Sequence, residues 1–147
     1  MSGFAAGERG KMQDPERGKG GMEKEICSTE RAPAAIGPYS QAVRAGSFIF
    51  LSGQLPIDPG TGRLEEGSVA RQTERILESV GNILEDAGSS VDRIVKVTVY
   101  MTDLEKFGEM NEAYARFFPV APPARSAVGV RNLPKGAAIE IEVVALA

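Results

Sequence analysis

The stretch PPARSAVGVRNLPKGAAIEIEVVA, residues 122–145, holds the side chains best suited to chemistry in a chain with no histidine and a single cysteine, Cys27. Arg125 offers a planar fork of donors that fits a carboxylate through two parallel hydrogen bonds. Glu140 can take a proton from a water molecule and return it later. Together they can hold a small carboxylic acid and hydrolyse a bond beside its carboxylate. The same pair on nearby strands can also be an ordinary cross-strand ion pair, so both readings stand on these residue types alone.

What must position them follows from periodicity. The segments SQAVRAG and SFIFLSG, separated at Gly46, have the pattern of a hairpin, and LPIDPGTGRLEEG reads as an exposed turn. Val69, Thr73, Ile76, Leu77, Val80, Ile83, Leu84 and Ala87 recur at helical spacing between a cap at Ser68 and a stop at Gly88. In RIVKVTVYMTD the spacing predicts a strand with Val95, Val97, Val99 and Met101 on its apolar face. A second helix is expected over 104–118, with Leu104, Phe107, Met110, Tyr114 and Phe117 on one side. Strands are expected near 125–130 and 138–146. The order β-β-α-β-α-β-β predicts an α+β sandwich of two layers, one mixed sheet with both helices on the same face.

Alternation then constrains the two candidate residues. Ile139, Ile141, Val143 and Ala145 should face the helices, leaving Glu140, Glu142, Val144 and Leu146 on the other face. If Ser126, Val128 and Val130 also cover the helices, Arg125, Ala127 and Gly129 share the helix-free face with Glu140. That face, with Tyr100, Val144 and Leu146, is too apolar for a fully wet surface. A homo-oligomer with its site at the subunit boundary is therefore expected, and a solvated face is the alternative.

Bulk properties narrow the function classes. The 147 residues suffice for one domain, and 42% apolar with 25% charged residues is ordinary for a packed fold. No apolar run approaches the roughly 20 residues that span a bilayer. A lone cysteine makes no internal disulfide, which suits a reducing compartment, and a cytoplasmic protein is the expectation. Residues 1–21 carry four bases and three acids, leaving thirteen bases and seventeen acids in the rest of the chain. Those bases are scattered, so nucleic-acid binding starts at a disadvantage.

Four blocks in order, APAAIGPYSQAV, FIFLSGQLP, MNEAYARFF and PPARSAVGVRNLPKGAAIEIEVVA, resemble the RidA (YjgF-type) family of reactive-intermediate deaminases from about Ile26 to the end of the chain. The resemblance implies a chorismate-mutase-like fold with a six-stranded mixed sheet, and a homotrimer with ligand clefts between subunits. It implies hydrolysis of 2-iminobutanoate and 2-iminopropanoate to 2-oxo acids and ammonia, without metal or organic cofactor. An imine carbon is already electrophilic, so a held carboxylate and a positioned water suffice, and no histidine is required.

By the same resemblance, Arg125 anchors the substrate carboxylate and Glu140 orients the attacking water. Glu142 reads as a structural or solvated charge. Tyr39 in IGPYSQ closes the cleft, Ser52 and Gly53 in LSGQ approach the substrate, and Asn111 contributes to the ligand wall. Each also has a plain structural reading: a core tyrosine, a strand end with a turn-forming glycine, a wet helical asparagine. Ala127 stands where several relatives carry a cysteine, so thiol chemistry is absent there, and the connection between Phe118 and Pro123 is short. The rival from another class is a trimeric binding module that senses 2-oxo or amino acids without turnover. A ribonuclease, an activity attached to some relatives, is disfavoured by the dispersed bases and the missing histidine.

The segment MSGFAAGERGKMQDPERGKGG has almost nothing to bury and precedes a second methionine, Met22. We read 1–21 as an extension and 22–147 as a single domain; a functional arm is the alternative. Deleting residues 1–21 should leave the melting temperature and activity unchanged within error, as measured by calorimetric scanning and a coupled assay on both forms.

Overall fold

Helix α1 (Val69–Asp86) begins and ends where the sequence places its signals. The Ser68 hydroxyl accepts the Arg71 N–H at 3.1 Å. At the other end Gly88 adopts φ +86°, a left-handed conformation that favours glycine. This lets the Gly88 N–H reach the Glu85 carbonyl and the Ser89 N–H reach that of Leu84, satisfying carbonyls the helix would leave open. Ile76, Leu77, Val80, Ile83 and Leu84 form its buried stripe.

A computed structural model describes residues 23–147; the expected extension over 1–21, with Met22, lies outside the described residues. The strands are β1 (Lys24–Cys27), β2 (Ala42–Ala45), β3 (Phe48–Leu51), β4 (Ile94–Met101), β5 (Ala124–Gly129) and β6 (Ile139–Leu146). They form one mixed sheet in the order β1-β2-β3-β6-β4-β5, with α1 and α2 (Phe107–Ala115) packed on one side. The two-layer α+β sandwich is as expected. The element that periodicity does not delimit is β1, four residues long at the sheet edge and too short to alternate visibly.

Among the described residues only β4–β5 is parallel; β1–β2, β2–β3, β3–β6 and β6–β4 are antiparallel. Ile49, Val97, Val99, Met101, Ile139, Ile141 and Ala145 are fully buried beneath the helices. The loop after β3 is tied to α1. Glu65 pairs with Arg75 at 2.9 Å and Arg71 at 3.2 Å, while the buried Gln72 donates to the Glu65 carbonyl. Those guanidinium groups, Arg75 first, hold the Glu65 carboxyl below its ordinary pKa despite partial desolvation.

Three local expectations are corrected. Val95 does not join the apolar face of β4: the pairing with β6 shifts between Ile94 and Lys96, and this irregularity leaves Val95 as the extra, exposed residue while Ile94 is buried. Leu104 leaves the second helix's stripe because 104–106 form a short 3₁₀ turn capped by Asp103, and it is exposed. The helix ends at Ala115 rather than near residue 118; beyond it Phe118 is buried, its ring centroid 4.6 Å from that of Tyr114, while Phe117 packs half-buried against the core.

The helix-free face of the sheet carries Ile26, Phe48, Phe50, Val128 and Leu146, all exposed in the single chain. The apolar character expected of that face is present. The bulge yields a contrast: Val97→Thr, which buries a hydroxyl in the core, should cost about 1–3 kcal/mol in denaturant unfolding. Val95→Thr should change stability by no more than about 0.5 kcal/mol.

Candidate functional site

Strand β6 places Glu140 on the helix-free face, opposite Tyr100 of β4. The carboxylate is packed against Gly53, just past the end of β3. A Cβ built on Gly53 would lie 2.1 Å from Glu140 Oε1 and 2.9 Å from its Cδ. Only a residue without a side chain lets the glutamate lie against this backbone. The stretch is fixed by paired bonds, with the Gln54 N–H donating to the Ile141 carbonyl at 2.8 Å and the Ile141 N–H to that of Gln54 at 3.1 Å.

Ser52, preceding Gly53, donates its hydroxyl to the Ser40 carbonyl at 2.6 Å, and its N–H bonds the Gln41 carbonyl. These bonds bring the 39–41 segment beside the glutamate's glycine wall. Tyr39 itself is half exposed, its hydroxyl accepting the Ile36 N–H at 3.3 Å. It is a surface tyrosine rather than a core one. Ser52, Gly53 and Glu140 thus belong to one neighbourhood, and Tyr39 precedes the Ser40 that is tied to it.

Glu142, on the same face, accepts the Tyr100 hydroxyl at 2.7 Å. Burial pushes the Glu140 carboxyl above its ordinary pKa, and the Glu142 charge adds to the effect. The Tyr100 hydroxyl is likewise held protonated, first by its bond to Glu142. A carboxyl so raised is a better proton acceptor from water than an ordinary glutamate.

Arg125 is elsewhere. In the parallel β4–β5 ladder, Arg125 pairs with Val97, Ala127 with Val99 and Gly129 with Met101, and residues in register point to the same side. Arg125, Ala127 and Gly129 therefore face the helix side, with the buried β4 set. The expectation that they share Glu140's face is overturned. Its premise fails because β5 is an edge strand with every residue but Arg125 exposed, so hydrophobic alternation there carries no orientation. Within one chain the plain ion pair of Arg125 with Glu140 or Glu142 falls with it.

On the helix side, Arg125 meets α2. Its Nη1 donates to Asn111 Oδ1 at 2.7 Å, and its Cζ lies 4.6 Å from the Tyr114 ring centroid and 5.4 Å from that of Phe107. Among the described residues no carboxylate forms an ion pair with it. Asn111 is thus an arginine partner rather than a residue facing only water. Ala127, two residues along β5, lies on the same side of the strand and is exposed. The aromatic rings were legible in the sequence as core positions, but nothing in their spacing pointed to the arginine.

Fold and site define an α+β domain with an arginine held by α2 on one side of its sheet and a partly desolvated glutamate on the other. Among the described residues no helix is long and apolar enough to cross a membrane, and no group of three or more His, Cys, Asp or Glu is placed to hold a metal ion.

Residues 29–147 match the family described as Endoribonuclease L-PSP. A RutC family protein of Pyrococcus abyssi is 52% identical over 124 residues, covering 84% of this chain and 98% of the relative. The 2-iminobutanoate/2-iminopropanoate deaminase of Mus musculus is 43% identical over 123 residues, covering 84% and 91%. The solved structure of E. coli TdcF with bound serine superimposes with a TM-score of 0.80 at 45% identity, covering 84% and 98%. The chain belongs to the Endoribonuclease L-PSP family, which includes the RidA (YjgF-type) proteins.

The contact at Gly53 is testable. Gly53→Ala should cost about 0.5–1.5 kcal/mol, because the new methyl forces the Glu140 side chain out of its present rotamer. Adding Glu140→Ala should recover most of that loss in denaturant unfolding, since it removes the group the methyl strikes.

Proposed function

We propose that this chain is an imine hydrolase that converts 2-iminobutanoate, 2-iminopropanoate and related enamines to 2-oxo acids and ammonia, at sites completed between the subunits of a homotrimer. The observation that carries the reading is the separation just described. Among the described residues, a guanidinium without a carboxylate and a glutamate without a cation lie on opposite faces of one sheet. They complement each other only when another copy supplies the missing half. The apolar helix-free face beside Glu140 gives a second copy a surface to cover.

Arg125 would hold the substrate carboxylate, with Asn111 and Ala127 beside it. Glu140 on the adjoining subunit would take a proton from water as the water oxygen bonds the imine carbon, and the C=N electron pair would move to nitrogen. The protonated Glu140 would then return the proton to the amine. The hydroxyl proton would then pass through Glu140 to the nitrogen, which leaves as ammonia as the C–N bond breaks and the carbonyl forms. Ser52, Gly53 and Tyr39 would line the Glu140 half. This sequence needs no metal or organic cofactor.

Named relatives support the chemistry, among them the mouse deaminase. The bound serine of E. coli TdcF favours a second reading, a trimeric module that senses small amino or 2-oxo acids without turnover. The family's description as an endoribonuclease finds less support here, because the bases are dispersed and histidine is absent.

A dehydratase that generates the imine in situ, coupled to 2-oxo acid detection, tests the proposal. The wild-type chain should accelerate 2-oxo acid release. Arg125→Lys should reduce the rate roughly thirty-fold to a thousand-fold by losing the bidentate fork. Glu140→Gln should lose turnover while still binding 2-oxobutanoate in calorimetric titration. Co-refolding Arg125→Ala with Glu140→Gln should restore roughly a quarter of wild-type activity, because random mixed trimers regain sites with both residues intact. No recovery would rule out the shared site. A wild-type protein that binds 2-oxobutanoate without accelerating release would leave the sensing module.

A further inference from the structure

We propose that Phe107 and Tyr114 are positioning residues for Arg125, holding its guanidinium so that only its in-plane N–H edge is offered to a carboxylate. The proposal deepens the imine-hydrolase reading and rests on it for the identity of the carboxylate.

The geometry begins in the sequence spacing. Phe107, Asn111 and Tyr114 stand at i, i+4 and i+7 on α2, so they form one stripe along the helix. That stripe faces the edge strand, where Arg125 projects toward it. The arginine Cζ lies over both rings, at 5.4 Å and 4.6 Å from their centroids, within the range at which a ring quadrupole attracts a cation. Asn111 takes one of the five N–H donors at 2.7 Å. Guanidinium donors radiate in its plane, so on this proposal the rings take its face and leave that plane open. Stacking therefore leaves the remaining donors free while removing rotamer freedom that binding would otherwise have to freeze.

The platform is firm because Tyr114 is part of the core. It is buried, and its ring is backed by that of Phe118 at 4.6 Å. Burial pushes the Tyr114 hydroxyl above its ordinary pKa, and the neighbouring Arg125 guanidinium partly offsets that rise, so hydroxyl and ring both meet the arginine. Tyr114→Phe removes the hydroxyl and keeps the ring, which separates the two contacts. Phe107, half-buried at the start of the helix, supplies the second contact and can be changed with little damage to the core.

The test uses the full chain with Phe107→Leu, Tyr114→Leu and Tyr114→Phe, each assayed for 2-oxobutanoate affinity, imine turnover, melting temperature and the Arg125 Nε–H resonance, assigned by its loss in Arg125→Lys. Phe107→Leu should weaken 2-oxobutanoate binding about three- to thirty-fold and raise KM in parallel, with the melting temperature nearly unchanged. The pH profile of kcat should not move, because Glu140 is untouched. The Arg125 resonance should lose its upfield ring-current shift. Tyr114→Phe keeps the ring and should bind within two-fold of wild type, whereas Tyr114→Leu should not.

Affinity unchanged in Phe107→Leu would overturn the proposal, as would an Arg125 resonance that does not respond to loss of the ring. The same holds if Phe107→Leu weakens binding equally in an Arg125→Ala background, since the ring would then act without the arginine. A wild-type protein that neither binds 2-oxobutanoate nor turns over imine sinks the imine-hydrolase reading. The resonance then still decides whether the rings hold Arg125.

Discussion

Residues paired across a β-sheet point to the same side, and that constraint, acting through β4, organises this molecule. Strand β4 lies between β6 and β5, and its alternation is fixed by the helices above it, which bury Val97, Val99 and Met101. Pairing with β6 sends Glu140 and Glu142 to the helix-free side beside Tyr100 and Thr98. Pairing with β5 sends Arg125 and Ala127 to the helix side beside Val97 and Val99. Slipping either register by one residue would exchange the faces, which burial of the central strand forbids.

The two charged groups are stabilised by unlike means. Arg125 is held by ring faces and one amide oxygen, so its charge is accommodated without a neutralising partner. Glu140 has the opposite situation. It is partly desolvated, lies near a second carboxylate, and rests against a glycine that gives it room. A cation and an anion that each lack an opposite charge among the described residues are costly to bury alone and favourable to bring together. On the proposed assembly, the apolar face of the sheet brings the copies together and the charges set where they meet.

The scaffold keeps these groups in place through connections far from them. The Schellman turn at Gly88 and the Ser68 cap fix the length of α1. The Glu65 contacts with Arg71, Arg75 and Gln72 bind the loop after β3 to that helix. Ser52 and Gly53 run between the end of β3 and the Gln54–Ile141 pairing, with Ser52 bonded to Ser40 and Gln41, so the wall against which Glu140 rests is anchored at both ends.

Helix α1, the hairpin at Gly46, the alternation of β6 and the apolar character of the helix-free face were legible in the sequence, because burial on one side imposes a period on each. The blocks around Tyr39, Ser52, Asn111, Arg125 and Glu140 also identified the family. What periodicity could not decide was anything that depends on pairing between segments: the irregularity that expels Val95, the 3₁₀ turn that removes Leu104 from its helix, the four-residue strand β1. The face of Arg125 belongs to the same class. Strand β5 is exposed on both sides, so its own residues do not say which side is inward, and only its ladder with β4 settles that. Sequence alone determined which residue types are available for carboxylate binding and proton transfer. Tertiary structure decided that one chain holds them apart, because orientation in a sheet is a property of registered neighbours rather than of the strand itself.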